Sequence, residues 1–408
     1  MQYGLLGKHL PHSHSPRIHA MLGNSSYTLF EKAPEEVEEF LRTRNFFGIN
    51  VTIPYKETVM PLCDCLDSVA VEIGAVNTIV NCGGKLFGTN TDYSGFIFMC
   101  NRAGIDFSGK NVLILGSGGS SKTVRVAAKH LGASSVRIVS RSGEINYENV
   151  YEVAKDANVI VNTTPLGMYP NVEEKPIELS KFSSLTGVVD IVYNPLCTRL
   201  LQEAKSLGIK CTGGLMMLVA QAAFADKYFR DAIHSGGEIV KICEKVEWRL
   251  KSVIFIGMPG SGKSTLGKLV AEKLHRRFVD IDREIVARAG KTIPEIFESE
   301  GEKAFRDLES EVTKELCSRG GDVIACGGGT IIREENRAAI RQNGIIIYIN
   351  RPLELLSRKG RPLSSGDGAL EKLYSERKEI YESLADITIQ TGEDIQSSLD
   401  DILEKLKK

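Results

Sequence analysis

A chain of 408 residues exceeds what one hydrophobic core sustains, roughly 250 to 300 residues, so two or more domains are expected. Its 51 basic and 52 acidic side chains leave a net charge of −1 with no long basic run, which argues against nucleic acid as a partner; anionic ligands must be met by local sites. The opening MQYGLLGKHLPHSHSPRIHA has neither a signal core nor a transit-peptide composition, and no stretch reaches the ~18 apolar residues of a membrane span, so a cytoplasmic protein without membrane partners is expected.

Residues 1–95 supply short strand-like runs, Gly48–Ile53 and Asn77–Val80, among helix-like ones, enough for a separate α/β substrate domain. His9, His12, His14 and His19 crowd together there. Loop positions between Gly7 and Pro16 give them no fixed helical spacing, so they are not read as a metal site. The nine cysteines are an odd number without a C-x-x-C pair, and read as reduced packing residues.

Asn111–Leu115 is an apolar strand running into Gly116-Ser117-Gly118-Gly119, a turn that lets backbone approach a pyrophosphate at a helix N-terminus. Further strand-like runs at Val136–Val139, Val159–Asn162 and Gly187–Val192 alternate with helices, which predicts a doubly wound, Rossmann-like parallel sheet over residues 96–221. The second strand ends in Ser140-Arg141-Ser142, where an NAD enzyme would place an acid; a guanidinium there suits a 2′-phosphate and favours NADP(H). Residues 222–245 are expected to form a helix crossing back to the substrate domain, and 246–251, beside Trp248, a linker.

A second strand, Val253–Ile256, opens a domain expected over 252–408, with a parallel sheet flanked by helices. It runs into Gly257-Met258-Pro259-Gly260-Ser261-Gly262-Lys263-Ser264, a Walker A sequence whose amides cradle ATP phosphates. Lys263 would reach the β and γ phosphates, Ser264 would hold Mg²⁺, and Thr265 would open the helix.

Six segments in order, Gly7–His19, Asn50–Lys56, Gly74–Thr78, Gly88–Asp92, Asn162–Met168 and Gly214–Gln221, resemble the shikimate dehydrogenases over about 245 residues. The resemblance implies that the Ser13 and Ser15 hydroxyls bind the substrate carboxylate and that Thr52, Asn77, Tyr193 and Gln221 line the substrate. It places Ile191 and Gly214 on the nicotinamide side, and Lys56 and Asp92 around the reacting oxygen. Ketone chemistry supports that last pair independently: reduction builds negative charge on oxygen, which an ammonium stabilises and protonates. Ser140-Arg141-Ser142 departs from the family's commoner Asn-Arg-Thr but keeps the arginine.

The C-terminal part resembles the shikimate kinases at Asp280-Ile281-Asp282, Phe297, Gly301-Glu302, Phe305-Arg306, the glycines 327 to 329, Arg361-Pro362-Leu363, and Arg377 with Tyr381. The resemblance implies that Asp282 is the base, Asp280 supports Mg²⁺, and Arg306, Arg377 and Gly328 hold shikimate. Arg361 would brace the phosphoryl group and Arg358 would lie near adenine. Lys359–Leu370, rich in glycine and serine, suits a lid. The combined expectation is a bifunctional enzyme reducing 3-dehydroshikimate and phosphorylating shikimate. Its rivals are a quinate-preferring dehydrogenase and a ligand-sensing regulator; the joint presence of Lys56, Asp92, Lys263 and Asp282 speaks against the regulator.

Overall fold

The computed structural model describes residues 2–10, 13–356, 369–392 and 394–407. The chain divides into two compact units, Met1–Glu247 and Trp248–Lys408.

The first unit begins with a six-stranded sheet in the order β2-β1-β3-β5-β6-β4. Its strands are β1 (Gln2–Gly7), β2 (Tyr27–Glu31), β3 (Phe46–Val51), β4 (Cys65–Leu66), β5 (Thr78–Cys82) and β6 (Lys85–Thr89), with helices α1 (Ser15–Met21), α2 (Val37–Thr43) and α3 (Ser68–Ile73). β3 is antiparallel to β5 and β5 to β6, whereas β1 runs parallel to both its neighbours. The strand expected over Gly48–Ile53 therefore stops at Val51, because Ile53 and the exposed Pro54 turn outward. Asn77 precedes β5, and its side chain bonds to Thr91 at the start of the next helix.

Helix α4 (Thr91–Ala103), capped by the Asn90 side chain, leads into the second sheet. There β7 (Asn111–Leu115), α5 (Gly119–His130), β8 (Ser135–Val139), α6 (Val150–Val153), β9 (Val159–Asn162), β10 (Gly187–Asp190), α7 (Arg199–Ser206) and β11 (Lys210–Gly213) alternate. The strands are all parallel in the order β11-β10-β9-β7-β8. Continuous aliphatic runs such as Val112–Leu115 and Val159–Val161 are wholly buried, as a sheet covered on both faces requires. Strand order reverses beside β7, and crevices at such points are where open parallel sheets bind ligands.

Two helices, not one, close the unit. In α8 (Leu215–Arg230), Ala225 and Phe229 return to the first sheet and pack with Leu5, Leu10, Tyr27 and Val80. Helix α9 (Gly236–Leu250) follows, so residues 246–250, expected as linker, are helical. Its buried Ile239, Ile242, Cys243 and Val246 fall on one helical stripe.

The second unit is a parallel five-stranded sheet in the order β13-β14-β12-β15-β16. Its strands are β12 (Ser252–Ile256), β13 (Phe278–Asp280), β14 (Val323–Ala325), β15 (Gly344–Asn350) and β16 (Ile387–Gln390). Around it lie α10 (Lys263–Leu274), α11 (Ile281–Ala289), α12 (Ile293–Arg319), α13 (Glu334–Asn343), α14 (Ala369–Leu384) and α15 (Ile395–Lys405). Helix α12 is broken at Gly301, whose φ of 84° and ψ of 168° are non-helical. Helix α10 starts at Lys263, two residues before the expected Thr265.

No described helix is long and apolar enough to cross a membrane. All nine cysteines are free; Cys100, Cys243, Cys317 and Cys326 are buried, but Cys65 and Cys82 are exposed, so packing does not account for these two.

Candidate active sites

In the first unit, the turn after β3 and the first turn of α4 converge because β3, β5 and β6 pair in antiparallel register. Lys56 Nζ donates to Asp92 Oδ2 at 2.6 Å, with side chains only 18% and 14% exposed. The backbone stitches this geometry together: Val76 N–H donates to Lys56 O at 2.8 Å and Asn77 N–H to Thr89 O at 3.1 Å. Beneath the pair lies a buried polar chain. Asn77 Oδ1 accepts from Thr91 N–H at 2.6 Å and Asn77 Nδ2 donates to Thr91 Oγ1 at 3.1 Å. Asn50 Nδ2 donates to Thr78 Oγ1 at 3.0 Å, and the Tyr27 hydroxyl to Asn50 Oδ1 at 2.7 Å. Asn50, Thr91 and Tyr27 were not singled out from sequence, although the first two lie inside motifs that were.

Other expected substrate residues gather in smaller groups. Ser15 N–H donates to Ser13 Oγ at 3.3 Å at the head of α1, and the adjoining His14 ring meets Tyr193 edge-on at 6.0 Å. Thr52 N–H donates to Leu6 O at 2.9 Å. Gly95 allows α4 and α8 to touch, since a Cβ there would lie 3.0 Å from Gln221 N. His12 lies outside the described residues. Among those described, no cluster of three or more His, Cys, Asp or Glu could hold a metal.

On the second sheet, β7 leads into Gly116 (φ 102°), Ser117 and Gly118, which caps α5. Cβ atoms at Gly118 or Gly119 would meet nothing within 4 Å, so backbone there faces open space that a pyrophosphate can enter. Gly116 N–H donates to Val139 O at 2.8 Å, setting the loop beside Ser140 and the exposed Arg141. At the far side, a Cβ on Gly214 would collide with Ile191 O, which brings those two expected residues into contact. Sequence reasoning missed Asp190, a fully buried carboxylate that precedes Ile191 and pairs in register with Gly213.

In the second unit, Gly257, Gly260 and Gly262 all take positive φ, forming the loop between β12 and α10. Lys263 Nζ donates to the carbonyls of Gly257 and Met258 at 2.9 and 2.8 Å. Ser264 Oγ donates to Asp280 Oδ2 at 2.5 Å, so a hydroxyl and a carboxylate oxygen meet at the mouth of the phosphate loop. Such hard oxygen donors fit Mg²⁺, which takes one or two carboxylates along with phosphates.

Gly327, Gly328 and Gly329 wedge between three groups of this site. A Cβ on Gly327 would lie 2.6 Å from Asp282 Oδ1, one on Gly328 2.6 Å from the Pro259 ring, and one on Gly329 2.5 Å from Arg306 Nη1. Gly328 is therefore a steric requirement, since the Pro259 ring cannot yield, whereas a side chain at Gly327 or Gly329 would push the Asp282 or Arg306 side chain out of place. Arg377 Nη1 and the Tyr381 hydroxyl both donate to Gly328 O, at 3.0 and 2.6 Å. Burial first, then the charges of Asp280 and Glu309, push the Asp282 carboxyl up to about 6, against the pull of Lys263 and Arg306.

Glu309 is 1% exposed, accepts from Arg306 Nη1 at 2.7 Å and from Thr330 Oγ1 at 2.7 Å, and fixes the arginine in the pocket. It lies three residues beyond Arg306 on α12, one helical turn, which was its only sequence signal. A second cleft is lined by Ser261, Gly262, Thr265, Arg351, Thr391 and Ser398. Arg351 was not foreseen. The expected Arg358 and Arg361, and Lys359–Gly368 of the expected lid, lie outside the described residues.

The two centres define a chain that joins a dinucleotide-dependent oxidoreductase to a P-loop phosphotransferase. Residues 5–79 match the family described as "Shikimate dehydrogenase substrate binding domain", and 259–407 match "Shikimate kinase". The chain is 36% identical over 249 residues to the "Shikimate dehydrogenase (NADP(+))" of Clostridium beijerinckii, covering 56% of this chain and 92% of that protein. A Thermus thermophilus shikimate 5-dehydrogenase solved with NADP(H) and shikimate is similar at 31% identity and TM-score 0.55, covering 60% of this chain and 99% of that one. A chorismate mutase/shikimate 5-dehydrogenase fusion from Clostridium acetobutylicum is similar at 33% identity and TM-score 0.57, covering 60% and 96%. The chain belongs to the shikimate dehydrogenase family and carries a shikimate kinase domain behind it.

Proposed function

We propose that Lys56 and Asp92 assist the reduction of 3-dehydroshikimate to shikimate by NADPH and that Asp282, Arg306 and Arg377 direct its phosphorylation to shikimate 3-phosphate, both in one cytoplasmic chain. The bifunctional activity follows from the two families; the residue roles are supported above all by the 2.6 Å Lys56–Asp92 pair.

In the first reaction NADPH supplies the hydride. Lys56 stands to donate a proton to the oxygen that becomes negative, while Asp92 holds the amine in place. The Ser13 and Ser15 hydroxyls bind the carboxylate, with Thr52, Asn77, Tyr193 and Gln221 around the ring. Gly116, Ser117, Gly118 and Gly119 receive the pyrophosphate, Ser140 and Arg141 the 2′-phosphate, Ile191 and Gly214 the nicotinamide.

In the second, amides of Gly257, Gly260, Ser261 and Gly262 with Lys263 hold the phosphates of ATP. Ser264 and Asp280 are the residues that would hold Mg²⁺, which neutralises phosphate charge. Asp282 takes the proton from the attacking hydroxyl, and Arg306 and Arg377 neutralise the substrate carboxylate.

The test is product analysis after mixing the protein with 3-dehydroshikimate, NADPH, ATP and Mg²⁺. Shikimate without ATP and shikimate 3-phosphate with it are expected; failure of either step removes that half of the reading. Arg141→Ala is expected to weaken NADPH binding far more than NADH binding, because the guanidinium meets only the extra phosphate. Equal losses in the two KM values would make Arg141 structural.

A further inference from the structure

Asp190 ends β10, in register between Asn162 on β9 and Gly213 on β11, and has no exposed surface. Its Oδ1 accepts from Asn162 Nδ2 at 3.0 Å and from Val192 N–H at 3.0 Å, and its Oδ2 from Thr198 Oγ1 at 2.6 Å. All three donors are neutral. Three donors aimed at its two oxygens are the pattern that an ionised carboxylate accepts. Although burial pushes the carboxyl up to about 6 against those hydrogen bonds, the group is mainly charged at neutral pH, with no cation among the described residues bonded to it.

Hydrogen bonding alone does not call for that charge, since an asparagine of the same shape has an oxygen for Asn162 and Val192. The backbone following Asp190 is the ledge read above as the nicotinamide wall: Ile191 O abuts Gly214, whose N–H donates to Val192 O at 3.0 Å. A dihydronicotinamide is neutral. When its hydride, with two electrons, passes to the ketone carbon, the ring is left with one positive charge.

We infer that the buried negative charge of Asp190 favours the cationic ring of NADP⁺ over the neutral ring of NADPH, and so stabilises the charge that grows during hydride transfer. This rests on the cofactor reading above. Asp190 acts through its field without touching the ring, and its neutral partners leave that field uncancelled.

The test is fluorescence titration of the full chain with NADPH and with NADP⁺, compared as the ratio Kd(NADP⁺)/Kd(NADPH). Asp190→Asn should raise the ratio about tenfold, the scale of two unit charges ~10 Å apart in a protein-like dielectric. Thr198→Val loses the hydrogen bond that most opposes the rise of the carboxyl, so it is compared at about pH 8, where the charge is kept, and should leave the ratio within about twofold. Because both substitutions fall in the first unit, near-ultraviolet circular dichroism and thermal unfolding of the same chains, not their kinase activity, report whether that unit folds.

The unmutated protein gives an independent arm, because its ratio should rise as pH falls through about 6 and the carboxyl takes up a proton. Asn162, Gly213 and Thr198, which face Asp190 from β9, β11 and the start of α7, do not titrate, and burial raises the Tyr193 phenol further out of that range. The 2′-phosphate titrates on both cofactor forms and cancels. An unchanged ratio in Asp190→Asn, an equal shift in Thr198→Val, or a pH-flat ratio in the unmutated chain overturns the inference. Failure of the unmutated chain to bind NADPH removes the cofactor reading itself.

Discussion

Lys56→Met is expected to lower reduction of 3-dehydroshikimate by roughly two to four orders of magnitude, the usual worth of a positioned proton donor. Methionine retains an unbranched side chain of similar reach, so the turn after β3, which is fixed by the backbone bond from Val76 N–H to Lys56 O, should survive. What vanishes is the ammonium. The oxygen would then gain charge with no acid beside it, and Asp92, only 14% exposed, would lose its partner at 2.6 Å. Because the loss falls on the transition state, kcat should drop more than KM rises. Shikimate phosphorylation in the same preparation should be unaffected. A variant that retained more than about a tenth of normal reduction would remove Lys56 from the chemistry.

Asp282→Asn is expected to reduce phosphorylation by at least about a hundredfold while ATP binding persists. The carboxylate lies against Gly327, and on the proposed reading it meets the substrate hydroxyl while the glycine loop and Lys263 hold the phosphates. Lys263→Ala should show the converse, with ATP binding lost. Undiminished turnover in Asp282→Asn would contradict its role as base.

Both nucleotide loops were legible because phosphate binding demands glycine at fixed spacing next to a strand, and each motif is contiguous. Lys56 and Asp92 are 36 residues apart, and what joins them is the antiparallel register of β3, β5 and β6, which no local pattern encodes. Family motifs bridged that gap. Asp190 and Glu309 stayed hidden because isolated acids are mostly solvated, and nothing nearby in the sequence announces their burial. The segment before β12 was misjudged for another reason: its charges suggested a linker, although Ile239, Ile242, Cys243 and Val246 already carry the i, i+3, i+4, i+7 spacing of a helix.

The end of α9 also fixes where a kinase can be cut free. Arg276 lies over the Trp248 ring at 4.5 Å and donates to the carbonyls of Trp248 and Lys251, each at 2.6 Å. Gly321 N–H donates to Leu250 O at 3.1 Å. A gene trimmed to start at Ser252, where the first strand of the sheet begins, would discard every one of these partners and strand a half-buried guanidinium. The four residues from Trp248 to Lys251 are thus part of the kinase's own body, and an independently expressed kinase should retain them.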